Sequence, residues 1–124
     1  MDLRLKAVAV VDNEEDIVTL FTDVIRVNGY FVIGFTNPLF LIDYISEYPD
    51  KIQLILIDYR MQHMSGCQLA ERVYAINPKI KMVLITAFDD VINNALNLEI
   101  IKKPITLPKN LEIIEQKIND VVII

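Results

Sequence analysis

Five short apolar runs alternate with segments of helical period along this chain, and this alternation restricts the fold more than any other feature. The runs are rich in β-branched residues and lack polar alternation, which is typical of strands covered on both faces in a parallel sheet. They are Ala7–Val11, Phe31–Phe35, Leu54–Ile57, Lys81–Thr86 and the weaker Glu99–Lys102. Because right-handed crossovers place helices on both faces of such a sheet, the pattern predicts an α/β fold, (βα)5, with a doubly wound parallel five-stranded sheet.

The segments between the runs carry signals for helix boundaries. After the first run, apolar residues recur at helical spacing and stop at Asn28-Gly29, a pair typical of a helix end. Pro38 opens a second helix, Ser65 a third and Pro108 a last one. For five strand–helix units, the flavodoxin-like strand order 2-1-3-4-5 is the natural arrangement.

Composition limits both the size and the function of the protein. The 124 residues, 53% of them hydrophobic, suffice for one well-buried core, so we interpret residues 1–124 as a single domain without an output domain. The net charge of -5, without a cluster of Lys and Arg, argues against direct binding of nucleic acid. The one cysteine, Cys67, excludes an internal disulfide, and no apolar stretch is long enough to span a membrane. We therefore expect a cytoplasmic protein.

The residues best suited to bind a ligand or to react lie at the carboxyl ends of four predicted strands. Asp12 and Asn13 follow the first run, Asp58 the third and Lys103 the fifth, while Thr86 ends the fourth. In an open α/β sheet these ends meet at one edge, where ligands bind. Two carboxylates placed close together need a cation or a proton, and a hard cation beside a lysine is what phosphoryl transfer requires. Taken singly, each residue has a plainer interpretation as a helix cap, a turn former, a strand residue or a surface lysine.

Four blocks of sequence, in order, resemble the receiver domain of response regulators, of the stand-alone type found in chemotaxis regulators. The blocks are VAVVDNEEDI, LILIDYRMQHMSG, VLITA and IKKP. The resemblance implies that Asp58 accepts a phosphoryl group from a phosphohistidine of a sensor histidine kinase or phosphotransfer protein, with Thr86 and Lys103 binding phosphoryl oxygens. It further implies that the protein signals by binding a downstream target protein. No catalysis is expected beyond phosphorylation and dephosphorylation of the chain's own aspartate, and a homodimer remains an open alternative to a monomer.

The resemblance also implies a Mg²⁺ site. Asp12, Asn13, Asp58 and the backbone carbonyl of Arg60 are the expected ligands. Asn13 departs from the family, which usually has a second acid at this position, so weaker metal affinity is expected. This departure keeps open a second interpretation, in which the chain is a pseudo-receiver, a binding module whose site is not phosphorylated.

Two further departures concern output and reaction class. The segment between Thr86 and Lys103 leaves only about two to three helical turns, so the fourth helix is expected to be short. Ile100 replaces the aromatic residue with which the family usually couples phosphorylation to its output surface. A metal-dependent phosphatase with an aspartate nucleophile is disfavoured, because that class has a second Asp where this chain has Arg60.

Overall fold

One parallel sheet forms the centre of the protein. The computed structural model describes residues 6–87, 95–103 and 116, and within them five strands and three helices are present. The strands are β1 (Ala7–Val11), β2 (Val32–Phe35), β3 (Ile52–Asp58), β4 (Lys81–Thr86) and β5 (Glu99–Lys102). They lie in the order β2-β1-β3-β4-β5, and every neighbouring pair is parallel. The predicted doubly wound α/β fold and its strand order are confirmed.

The helices begin and end where the sequence signals place them. They are α1 (Glu15–Val27), α2 (Pro38–Glu47) and α3 (Gly66–Ile76). Beyond α1, Gly29 has a φ of 93°, a backbone conformation that favours glycine. Ser65 caps α3 in a reciprocal capping box with Gln68. The helix predicted from Pro108, and most of the segment expected to form the short fourth helix, fall outside the described residues.

Two apolar clusters hold the helices against the two faces of the sheet. Ile55 and Ile57 of β3 belong to the cluster formed with α2 and α3. Leu54 and Leu56 point the other way and belong to the cluster formed with α1. All four side chains are completely buried, and burying a side chain of this size contributes about 1.5–3 kcal/mol. The strand that ends at Asp58 is therefore fixed from both sides.

The prediction that every strand is covered on both faces is wrong for β2. Three of its residues are only half-buried, and Gly34 is exposed. The reason is position: β2 is at the edge of the sheet and pairs with β1 alone. The opposite edge strand, β5, shows the same effect, since its end residues Glu99 and Lys102 are exposed.

Candidate functional site

The register of the sheet brings three of the predicted site residues to one edge. Asp58 is the last residue of β3 and pairs with Ile85 of β4. Thr86 ends β4 and pairs with Lys102 of β5. The backbone N–H of Lys103 donates to the carbonyl oxygen of Thr86 over 2.7 Å. Neighbouring strands of a parallel sheet lie about 4.8 Å apart, so these residues are held close together by the backbone itself.

An ion pair joins the two outer members of this group. The ammonium Nζ of Lys103 donates to Oδ1 of Asp58 over 3.1 Å. The side chain of Asp58 is only 7% exposed, whereas that of Lys103 is 41% exposed. The carboxylate is therefore buried at the base of the site, and the lysine reaches it from the solvent side.

Asp12 completes the carboxylate pair predicted from the sequence. It directly follows β1, and its backbone N–H donates to the carbonyl oxygen of Phe35 over 3.1 Å. Its Oδ1 accepts a hydrogen bond of 2.9 Å from the backbone N–H of Glu14. Asp12 is buried, with 5% exposure. The contact with Glu14 was not foreseen from the sequence, although an Asp side chain commonly accepts a hydrogen bond from the backbone N–H two residues further on.

Burial shifts the protonation of both acids in the same direction. The pKa of Asp58 is raised from 3.8 to about 6, first by burial and then by the negative charge of Asp12, and the Lys103 hydrogen bond and charge offset only part of this shift. Burial also raises the pKa of Asp12, against the opposing hydrogen bond from Glu14 and the charge of Lys103. For Lys103, burial lowers the pKa, but the hydrogen bond and charge of Asp58 outweigh it, so the net shift is upward. The site therefore contains more negative charge than it can stabilise by itself.

The oxygen atoms present fit a hard divalent cation. Asp12 and Asp58 supply carboxylates, and Asn13, which is exposed, offers an amide oxygen. Arg60, also exposed, lies in the loop two residues after Asp58 and offers its backbone carbonyl. Among the residues that the structure describes, no group of three or more His, Cys, Asp or Glu side chains is arranged to bind a metal. A cation at this edge therefore depends on a carboxylate pair supplemented by amide, backbone or water oxygens, as Mg²⁺ accepts.

Thr86 lies at the end of the strand between Asp58 and Lys103. The residue is almost completely buried, with 1% exposure. Its hydroxyl donates to the carbonyl oxygen of Ala87 over 3.4 Å, which is long for an O–H···O bond.

The loop after Asp58 is fastened to the site by backbone contacts at Gly66. The N–H of Gly66 donates to the carbonyl oxygen of Tyr59, and the N–H of Tyr59 donates to that of Ile85, both over 2.8 Å. A Cβ atom on Gly66 would lie 2.7 Å from the carbonyl oxygen of Asp58 and 3.0 Å from Cα of Tyr59. Gly66 does not have a positive φ, so close approach is the reason for glycine here.

Three further residues lie around this site or away from it. His63 is exposed and has a φ of 75° in the loop after Asp58. Cys67 is half-buried against the cluster formed with α2 and α3. Ile100, where an aromatic residue was expected, packs on the same cluster. No described helix is long and apolar enough to cross a bilayer.

Comparison with known proteins identifies the family of this chain. The family model of the response regulator receiver domain matches residues 8–119. The chain belongs to the response regulator receiver family. This receiver domain is 29% identical over 90 residues to the response regulator receiver protein CpdR of Brucella abortus (strain 2308), and the aligned region covers 73% of each protein. It is 27% identical over 84 residues to sporulation initiation phosphotransferase F of Bacillus subtilis (strain 168), covering 68% of this chain and 66% of that protein.

Solved structures support the same fold assignment for this receiver domain. A CheY-like receiver domain from Methanospirillum hungatei JF-1 superimposes with a TM-score of 0.84 at 22% identity, over 94% of this chain and 96% of that one. A receiver domain from Clostridium thermocellum gives a TM-score of 0.83 at 21% identity, over the same shares of the two chains. Identity this low shows the fold alone. The family assignment places the protein in two-component signal transduction, in which receiver domains interact with histidine kinases or phosphotransfer proteins and with downstream targets.

Proposed function

We propose that Asp58 accepts a phosphoryl group from the phosphohistidine of a sensor histidine kinase or a phosphotransfer protein, in a Mg²⁺-dependent reaction. The observation that carries this proposal is the buried Asp58 carboxylate, which ends a completely buried strand and lies 3.1 Å from the ammonium of Lys103. An acid in this position is costly for stability, and a nucleophilic role beside the Lys103 ammonium accounts for that cost. The phosphorylated protein then signals by binding a downstream target protein.

The chain's own residues have distinct parts in the transfer. An oxygen of the ionised Asp58 carboxylate attacks phosphorus, the P–N bond to the donor imidazole breaks, and the departing nitrogen keeps the bonding electron pair. The product is an acyl phosphate on Asp58. The Lys103 ammonium and the Thr86 hydroxyl lie at the neighbouring strand ends, and in this proposal they bind the anionic oxygens of the phosphoryl group. Because the pKa of Asp58 is about 6, most of the carboxylate is ionised at neutral pH.

Mg²⁺, when bound, would neutralise the negative charge that Asp12, Asp58 and the phosphoryl oxygens bring together. The residues that would hold it are Asp12, Asp58, Asn13 and the backbone carbonyl of Arg60. Asn13 contributes an amide oxygen where a carboxylate would add a negative charge. We therefore propose that this site binds the metal more weakly than a site with three carboxylates.

The chemistry that we propose is confined to the protein's own aspartate. Transfer to Asp58 and later hydrolysis of the acyl phosphate by water complete the cycle, without turnover of a separate substrate. A phosphatase that uses an aspartate nucleophile has a second Asp two residues further on, whereas this chain has Arg60 at that position. In this sense the protein is not an enzyme.

A small-molecule phosphodonor provides the test. The chain is incubated with phosphoramidate or acetyl phosphate and Mg²⁺, and its intact mass is measured. The wild type should gain the mass of one phosphoryl group, and Asp58→Asn should gain none. Asp43→Asn, which changes an exposed acid on α2, is the matched control and should react like the wild type.

Asn13 favours a second candidate, the pseudo-receiver. With only two carboxylates at the site, metal affinity could fall below what phosphoryl transfer needs, and the fold would then serve only to bind a partner protein. Failure of the wild type to gain mass at high donor and metal concentrations would establish this alternative. Recovery of phosphorylation in Asn13→Asp would then identify the missing carboxylate as the cause.

A further inference from the structure

A second candidate site lies at the opposite edge of the sheet from Asp58. A cavity of about 380 Å³ opens at the amino ends of β1, β3 and β4. Gln53 lines it near the start of β3, five residues before Asp58 at the end of the same strand. At about 3.3 Å per residue the two positions are roughly 16 Å apart. The cavity is therefore separate from the phosphoacceptor site.

The charged residues around this cavity are mainly cationic. Lys6, Lys79 and Lys81 line it, opposed by a single acid, Asp50. This local excess of positive charge stands out in a chain whose net charge is -5. Lysines that converge on one concave surface attract anions, most strongly those with several charged oxygens.

Gln53 provides an independent indication of a ligand. The residue is only 5% exposed. Its amide Nε2 donates to the backbone carbonyl oxygen of Lys6 over 2.8 Å, whereas its Oε1 is buried with no hydrogen-bond partner among the described residues. Leaving a buried acceptor unpaired destabilises the folded protein. A group that enters the inner end of the cavity and donates a hydrogen bond would remove this cost.

The local backbone explains why a polar side chain is held here. Ala7 pairs with Ile52 and Val8 pairs with Leu54, so Gln53 is the extra residue at a break in the register between β1 and β3. An extra residue in a strand has no partner opposite it and redirects its side chain. Gln53 satisfies the start of β1 with the Nε2 half of its amide, and its Oε1 has no hydrogen-bond partner among the described residues.

Hydrogen bonds between loops hold the walls of the cavity in place. The side-chain Nδ2 of Asn77 donates to the carbonyl oxygen of Pro49 over 2.8 Å, which joins the loop after α3 to the loop after α2. The Oδ1 of Asn77 accepts from the backbone N–H of Lys79 over 3.0 Å. The N–H of Ala7 donates to the carbonyl oxygen of Lys51 over 2.9 Å. A preformed cavity loses less conformational entropy when a ligand binds.

We propose that this cavity binds a small phosphate ester that also carries hydroxyl or amino groups. The phosphate would be bound among Lys6, Lys79 and Lys81, and a hydroxyl or amino hydrogen would be donated to Oε1 of Gln53. Inorganic phosphate meets only the first requirement. The inference does not depend on phosphorylation of Asp58, and either can fail without the other.

Amide NMR spectra of the isotope-labelled full chain test the proposal. Adenosine 5′-monophosphate, ribose 5-phosphate and inorganic phosphate are titrated separately at constant ionic strength. At least one ester should shift the amides of residues 50–53, 77 and 79–81, and it should bind more tightly than inorganic phosphate. The double variant Lys79→Gln/Lys81→Gln changes two exposed side chains and should weaken that ester about tenfold.

Two further variants make the outcome decisive. Arg26→Gln/Arg72→Gln removes two exposed charges outside the cavity and should leave the affinity unchanged. Gln53→Leu should weaken the ester while leaving the affinity for inorganic phosphate as it was. The proposal is overturned if neither ester shifts these amides at about 10 mM, if inorganic phosphate binds as tightly, if both double variants lose affinity equally, or if Gln53→Leu binds the ester like the wild type.

Discussion

The Nζ of Lys103 lies 3.1 Å from Oδ1 of Asp58 although the two residues are 45 positions apart in the sequence. The contact crosses from the end of β3 to the residue after β5, over the end of β4. It places a cation beside an acid whose burial and negative neighbour Asp12 favour the protonated form. The reactivity and the pH response of the site follow from the balance between these opposing influences.

Removing the lysine should make this balance visible. In Lys103→Met, Asp58 loses both its hydrogen bond with the lysine and the nearby positive charge. The pKa of Asp58 should therefore rise above its present value of about 6. Phosphorylation by phosphoramidate should slow by about a hundredfold, because a cation on the phosphoryl oxygens is lost. Carboxyl NMR titration measures the pKa, and Lys102→Met, which alters the exposed neighbour, is the control. A pKa at or below 6 in Lys103→Met would contradict the assigned ion pair.

The raised pKa of Asp58 also predicts how stability depends on pH. The folded protein binds a proton on Asp58 up to about pH 6, whereas an ordinary Asp, with a pKa of 3.8, has already lost it. The free energy of unfolding therefore falls as pH rises from about 4 to 6, and the ionised group then costs up to about 3 kcal/mol. Asp58→Asn should be more stable than the wild type by up to about 3 kcal/mol at pH 7.5 without metal, because the variant buries no charge at this position.

This stability gain should disappear on acidification. Near pH 4 the wild-type Asp58 is protonated and neutral like Asn, so the two denaturation midpoints should converge. Asp43→Asn, at an exposed position on α2, controls for the general effect of removing an acid. Urea denaturation at the two pH values measures the difference. A gain for Asp58→Asn that is equally large at both would show that the effect does not come from the charge of Asp58.

A third carboxylate at the site should strengthen metal binding. Asn13→Asp adds an anionic oxygen beside Asp12 and Asp58, and Mg²⁺ affinity should rise by about 1–2 kcal/mol, or roughly five- to thirtyfold. The metal-free variant should be less stable than the wild type because three acids repel. Calorimetric titration measures the affinity. If the two proteins bind Mg²⁺ equally, Asn13 does not face the metal.

Much of the fold and of the candidate site could be predicted from the sequence, for a physical reason. A parallel strand buried on both faces is a continuous apolar run, and Asp58 is conspicuous because it ends such a run. The ends of β4 and β5 could likewise be read from Thr86 and Lys103. The predicted strands Lys81–Thr86 and Glu99–Lys102 are confirmed to the residue.

Other features depend on contacts that no local pattern records. The reason for glycine at position 66 is the carbonyl oxygen of Asp58, which approaches from another element. The exposure of β2 depends on its place at the edge of the sheet. The burial of Gln53 depends on a register break between β1 and β3. Such features are set by tertiary packing and emerge only from the folded structure.

Two glycine variants should separate the effect of close approach from that of backbone conformation. In Gly66→Ala the new Cβ meets the Asp58 carbonyl oxygen at 2.7 Å, so the loop must move; we expect a loss of about 1–3 kcal/mol and slower phosphorylation. Gly29→Ala has open space for its Cβ but a φ of 93°, so it should lose about 1 kcal/mol through backbone strain while Asp58 reacts normally. Denaturation midpoints and phosphorylation rates measure the two effects. Equal rates in both variants would show that Gly66 does not position the acceptor.

Borohydride trapping of the phosphorylated protein tests the central claim most directly. After reaction with phosphoramidate and Mg²⁺, borohydride reduces an aspartyl acyl phosphate to homoserine, and peptide mass spectrometry then locates the converted residue. The account predicts homoserine at position 58, none at Asp12 or Asp43, and none anywhere in Asp58→Asn. Homoserine at a different aspartate, or none in a wild type that retains the fold and binds Mg²⁺, would contradict the assignment of Asp58 as the phosphoacceptor.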